Sequence, residues 1–236
     1  MEASSPVKLG VTVNPGDTID ISLRMKAPAS ADTYKGEWML RNEDNVLFGV
    51  GSNAKVPFWV SIKVQKRPDF NSDNKLFFTK NVNAVTWKSM AGILTPGSSY
   101  DFEIGSVSSV SAPKLEDGYQ DDEPAIVVVP NDGSDGRVWG RYPAIEIKDG
   151  DRFAAVIGCI SGYKKCDVTF KLNYIVDGGD QVNLGTWKQV YDDKWDKLNI
   201  NLSALKGKNV EFILIVESNG DSLEDVAFWL SPRIVR

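Results

Sequence analysis

Between Gly185 and Lys197, Trp187, Tyr191 and Trp195 lie among Asp192, Asp193 and Asp196. Indole and phenol rings offer flat apolar faces to a pyranose ring, and carboxylates accept hydrogen bonds from its hydroxyls. Such rings can equally cap the edge of a β-sandwich, and residue type leaves both roles open. Trp139, Arg141 and Tyr142 form a second group of the same kind. Acidic loops suggest a different chemistry. Asp117, Asp121, Asp122 and Glu123 supply four carboxylates within one short loop. Flexible loops rich in carboxylate oxygen suit a hard cation, so Ca2+ is a candidate ligand, with no cofactor required. Solvated acidic turns are the alternative. The second acidic loop, 131–136, lacks the length and terminal Glu of an EF-hand.

Catalysis finds little support in the same inventory. The 236 residues contain no histidine, which removes the commonest general base and the Ser-His and Cys-His dyads. Carboxylates are scattered, and no spacing singles out a pair for glycoside hydrolysis. No complete nucleophile elbow or phosphate-binding glycine loop occurs. The net charge is −5 and no Lys/Arg run exists, which argues against a nucleic-acid partner. No apolar run reaches membrane-spanning length.

Cys159 and Cys166 flank a turn-like segment, Ile160 to Lys165, and each adjoins a strand pattern. This reads as a disulfide across a hairpin, with a pair of buried thiols as the alternative. A disulfide implies an oxidising, extracellular or surface location. Met1 to Pro6 carries no signal-peptide pattern, so an exported chain is expected to be trimmed or processed.

The elements that must position these groups are strands. Ile19, Ile21, Leu23 and Met25 alternate with polar residues, as do Tyr34 to Leu40 and Phe58 to Val64. Asn14-Pro15-Gly16-Asp17 and Glu43-Asp44-Asn45 are turns between them. Residues 67–75 are charged and polar and read as a linker, dividing a domain over 1–66 from one over 76–236. In the second, Ala125 to Val129 and Val210 to Val216 are continuous apolar strands, and Cys166 to Tyr174 alternates strictly. Asp177-Gly178-Gly179-Asp180 reads as a hairpin turn. The fold class is all-β: a partial Ig-like sandwich followed by a jelly-roll β-sandwich.

Two resemblances add to this reading. Val13-Asn14-Pro15-Gly16-Asp17, Met25-Lys26-Ala27-Pro28, Thr33 to Arg41, Phe48-Gly49 and Phe58 to Ile62 resemble the second half of the four-tryptophan (FW) Ig-like domain. That domain occurs in selective-autophagy cargo receptors and in exported, Chloroflexi-type bacterial proteins. The resemblance implies that Trp38 and Trp59 pack in a core. Its early strands and early tryptophans have no counterpart here, so the autophagy role does not carry over. From Gly150-Asp151-Arg152-Phe153 through Val168-Thr169-Phe170, Leu198 to Gly207 and Ala227 to Ile234, the chain resembles galactose-binding-like jelly rolls and carbohydrate-binding modules of that class. The resemblance implies a packing role for Trp229.

Together these readings favour a non-catalytic extracellular recognition module for a glycan or cell-surface polymer. A structural subunit of a bacterial filament, sheath or surface layer is the alternative. Accessory domains of a larger hydrolase are a weaker one. Half a sandwich leaves an apolar face and a strand edge to be covered by an upstream segment, by the jelly roll or by a neighbouring subunit, and the last of these gives the assembly alternative its physical basis.

Overall fold

The structure, a computed structural model, describes residues 2–3, 6–23, 25–26, 28, 30, 32–64, 76–97 and 99–236. The expected linker over 67–75 lies outside the described residues. The chain divides into two compact units, Met1–Lys66 and Arg67–Arg236.

In the first unit, β1 (Glu2–Ala3) pairs with β2 (Met25–Lys26), and β3 (Asp32–Trp38) pairs with β6 (Phe58–Val64). β4 (Leu40–Arg41) pairs with β5 (Leu47–Phe48). These are three separate two-stranded ladders, and such ribbons are marginal without further strands. The strand expected over residues 19–25 is a correction: among the described residues of that stretch only Met25 is in a strand. Alternation gave it an apolar face, but among the described residues only its end at Met25 pairs, with Ala3 of β1. No described residue of 6–64 is buried. The resemblance placed Trp59 in a core, yet Trp59 is 63% exposed, with Lys35 Nζ 5.5 Å from its ring centroid. Trp38 is half-buried.

The second unit is a sandwich of two antiparallel sheets. One sheet has the order β10 (Ser106–Val110), β11 (Ala125–Val129), β19 (Ala227–Val235), β14 (Arg152–Cys159), β17 (Asp196–Asn201), with β7 (Leu76–Phe77) added against β19. The other runs β16 (Gln181–Val190), β15 (Asp167–Val176), β18 (Asn209–Ser218), β12 (Arg137–Arg141), β8 (Thr86–Ser89), β9 (Gly92–Leu94). Here β13 (Ile145–Glu146) adds to β18. Phe170, Leu172, Phe212, Leu214 and Val138 from this sheet meet Ile126, Phe153, Ile157 and Trp229 from the first. Strand alternation does this directly, since every second side chain points between the layers. Trp229 sits fully buried, 5.0 Å from Phe170 and 6.2 Å from Phe153, both edge to face.

Two local features shape the second sheet. At Gly140 a Cβ would lie 2.6 Å from the ring of Trp87, so only glycine lets that indole lie flat beneath β12. Asp177 and Gly178, both with positive φ, close the β15–β16 hairpin, as tight two-residue turns require.

Cys159 and Cys166 are joined, with Cα atoms 6.2 Å apart. The expected hairpin between them is a correction. β14 belongs to one sheet and β15 to the other, so the bridge ties the two layers at a crossover. A short turn between two strand patterns does not reveal whether the chain returns on its own sheet or crosses to the facing one.

Candidate functional site

The face of the second sheet that points away from the sandwich core holds the most ordered array of binding chemistry. Registers fix its rows. Ile93, Lys88, Trp139, Ile215, Lys171 and Thr186 stand opposite one another across β9, β8, β12, β18, β15 and β16. A second row runs Thr86, Arg141, Ile213, Asn173, Asn183, and a third Arg137, Glu217, Thr169, Lys188. Ile175, Ile213 and Ile215 form a small apolar cluster against which Trp139 packs. Around this floor stand Arg141 paired with Glu211, and Glu217 shared by Arg137 at 3.7 Å and Lys171. Lys188 lies 3.2 Å from Asp167. The Arg137 guanidinium stacks on Trp139, 4.8 Å from the ring centroid. Asn183 donates its amide hydrogen to the side-chain oxygen of Asn173 at 2.8 Å. At the Arg137 end a cleft of about 290 Å³ opens among Met90, Ser134, Asp135, Arg137, Glu217 and Ser218.

One indole, an apolar floor, and amide, hydroxyl, guanidinium and ammonium groups held on strands can position a polyhydroxylated ligand. The carboxylates of this face act as ion-pair partners. Glu211 and Glu217 are six residues apart on one strand, hence about 20 Å, beyond the roughly 5–9.5 Å of a glycosidase pair, and Asp167, diagonal to Glu217, is held by Lys188. Asp167, Glu211 and Glu217 are all ion-paired, the opposite of the apolar setting that keeps a catalytic acid protonated.

The expected aromatic cluster at 187–195 is divided by the fold. Trp187 lies over Gly185, where a Cβ would come within 2.3 Å of the ring, and packs on the inter-sheet core. Tyr191 packs there too, and its hydroxyl donates to the Glu116 carbonyl at 3.1 Å. Trp195 instead packs on the layer outside the first sheet, beside Phe228, and its indole N–H donates to Asp117 at 3.1 Å. Asp193 is exposed. Each ring is held by its own anchor, and Trp187 and Trp195 pack on different apolar layers. Tyr142 is a further correction: it is 2% exposed, edge to face with Phe78 at 4.6 Å, and belongs to the core. It directly follows the outer-face residue Arg141, and alternation therefore turns it inward with Val138 and Gly140.

The four candidate calcium ligands do not converge. Asp117 accepts the backbone N–H of Tyr119 and the Trp195 indole, and Asp121 accepts the N–H of Glu123. Glu123 lies 3.7 Å from Arg233, and Asp122 is exposed. Among the described residues no three acidic, cysteine or histidine side chains gather into a metal-binding group. The carboxylate that does draw this region together is Glu116, buried next to the expected ligands. It accepts the N–H of Cys159 at 3.1 Å and of Asp192 at 3.0 Å. Burial pushes its carboxyl above the usual range; the two hydrogen bonds oppose that shift, and the charges of Asp192 and Asp193 add to it.

Lys88, Arg137, Lys171, Asn173 and Asn183 were not legible as site residues. Their strands are far apart in the chain, and only pairing assembles the rows. A partial signal existed: strict alternation over Asp167 to Asn173 already put Thr169, Lys171 and Asn173 on one polar face.

Residues 2–64 match a family model described as the Ig-like domain from next to BRCA1 gene. No match to a curated protein was found. Among solved structures, the chain is similar to a carbohydrate-binding module, CBM51, from Clostridium perfringens GH95 in complex with methyl-galactose. Identity is 14%, over 68% of this chain and 99% of that one, with a TM-score of 0.41. It is also similar to a module described among the carbohydrate-binding modules of the beta-sandwich super family, at 13% identity. That match covers 88% of this chain and 75% of that one, with a TM-score of 0.44. A third, TmCBM61 in complex with β-1,4-galactotriose, is 13% identical over 58% of this chain and 90% of that one, with a TM-score of 0.38.

Proposed function

We propose that this chain is a non-catalytic glycan-recognition module acting outside the cell, and that its ligand lies on the outer face of the second sheet, centred on Trp139. The observation that carries the reading is the row through Lys88, Trp139, Ile215, Lys171 and Thr186, which sets an indole and an apolar floor between hydrogen-bonding groups on paired strands. The ligand is a surface or extracellular polysaccharide rather than a buried small molecule, since the face is open and extended. The buried disulfide fits an oxidising compartment. Among the described residues no helix is long and apolar enough to cross a membrane.

The test is a glycan array followed by affinity electrophoresis with the wild type and Trp139→Ala. The variant should lose about tenfold or more in affinity, a change of about 1.4 kcal/mol, with its melting temperature kept. Equal binding by the variant would move the site elsewhere, with Trp187 and Trp195 as the next positions to substitute.

A second reading is favoured by one observation. No described residue of 6–64 is buried, and Phe58 and Trp59 are exposed. Leaving large apolar side chains wet costs about 1.5–3 kcal/mol each, so this unit is a candidate assembly surface in a filament, sheath or surface layer. Light scattering after size-exclusion tests it: a monomer at all concentrations would remove this reading.

A further inference from the structure

The charges on the proposed face point to the kind of glycan. Strands β8, β12, β18, β15 and β16 carry five cations, Lys88, Arg137, Arg141, Lys171 and Lys188, against three carboxylates, Asp167, Glu211 and Glu217. All eight fall at positions alternate to the core residues of their strands, so they project to the outer face. The chain as a whole carries −5. A cationic surplus is therefore concentrated on one face of an acidic protein. Pairing does not remove it. Arg141 and Lys188 each have a carboxylate, but Arg137 and Lys171 share Glu217. Lys88 has no carboxylate partner among the described residues.

Lys88, which has no described carboxylate partner, and Lys171, which shares Glu217 with Arg137, flank the apolar centre. Lys88 precedes Trp139 in the central row and Lys171 follows Ile215. They stand three strand spacings apart, about 14 Å, which is the reach of a short oligosaccharide. We infer that this face selects anionic glycans, whose carboxylate or sulfate groups pair with Lys88 on one side of Trp139 and with Lys171 on the other, while Arg137 stacks on the indole beside that row. The inference rests on the face being the glycan site. It adds that the ligand is charged and that its chain runs across the strands. A neutral sugar would leave Lys88 unpaired. An acidic one adds charge-assisted hydrogen bonds while sugar rings pass over the indole and isoleucines.

Masking the charge on one polymer backbone tests this. Binding of polygalacturonate is compared with that of its fully methyl-esterified form, and dextran sulfate with dextran. The acidic form of at least one pair should bind ten times more tightly or better, and which pair responds tells carboxylate from sulfate. Raising salt from about 0.1 to 1 M shortens the Debye length from about 10 to 3 Å and should abolish most of that preference. Lys88→Glu should lose tenfold on the acidic polymer with its melting temperature unchanged. Lys88→Gln serves as the milder variant should the reversal disturb folding. Equal affinity for acidic and neutral forms overturns the inference while leaving glycan binding intact. Binding to no glycan on the array overturns both. Duplex DNA bound as tightly as the acidic polymer overturns it too, by reducing the face to a general polyanion surface.

Discussion

Reducing the Cys159–Cys166 bridge gives the most quantitative check on the sandwich. The bridge closes a loop of eight residues, with a sequence separation of 7. Loop-closure entropy assigns such a loop about 2.5 kcal/mol, acting through the unfolded chain. For a unit of this size each kcal/mol moves the melting temperature by about 2–4 °C, so reduction should lower it by about 5–10 °C. Both sulfurs are buried, Cys159 fully and Cys166 at 2% exposure, so reduction leaves the packing in place and removes only the tether. Scanning calorimetry with and without a phosphine reductant reads the shift, after incubation long enough for the core to open. Mass spectrometry without reduction confirms the bridge at the start. A drop below about 2 °C would refute the reasoning, because the tether would then not constrain the unfolded ensemble. Free thiols in the native protein would also remove the main support for an exterior location.

Three further outcomes follow from particular residues. Gly140→Ala puts a Cβ 2.6–2.7 Å from three ring atoms of Trp87, and should cost about 1–3 kcal/mol in urea unfolding; a neutral result would mean the indole can shift. Asp225 is fully buried; burial, ahead of the charges of Asp167 and Asp221, raises its carboxyl pKa, against hydrogen bonds that lower it. The folded state then keeps a proton that the unfolded chain has already lost, so this contribution to stability falls as pH rises from the ordinary carboxylate range through the raised value. Asp225→Asn should therefore gain melting temperature on the wild type between pH about 4 and 7, and a constant difference would contradict the assignment. With Asp117, Asp121 and Glu123 each committed to a contact of its own, calcium or chelator should leave the melting temperature within about 1 °C, whereas a stabilisation by mass action would show an ion held in that loop.

The strands of the second unit were readable because alternation is a local property. Val168, Phe170 and Leu172 point inward as their spacing requires, and Ala125 to Val129 is buried on both faces as its continuous apolar run implies. Pairing is not local, and most of the corrections trace to it. Cys159 ends a strand of one sheet and Cys166 immediately precedes a strand of the other, and Trp187 and Trp195 pack on different layers, although a few residues separate them in the chain. Ile213 and Ile215 were hidden inside an apolar run. Only the register with Trp139 and Lys171 places them outside the sandwich, beneath a charged rim. Tyr142 had the right chemistry and the right neighbours, but its position, alternate to Trp139 and Arg141, faces the core.

The last strand of the second unit is also its keystone in time. β19 lies between β11 and β14, and the opening strand of the unit, β7, adds to that same strand. A ribosome must therefore finish Ala227–Val235 before the first sheet has a centre, and until then β11 and β14 have no common neighbour. Such non-local closure is slow. The strands of the second sheet all precede β19 and can pair among themselves, but the sandwich has no second layer to close on until that last strand is in place.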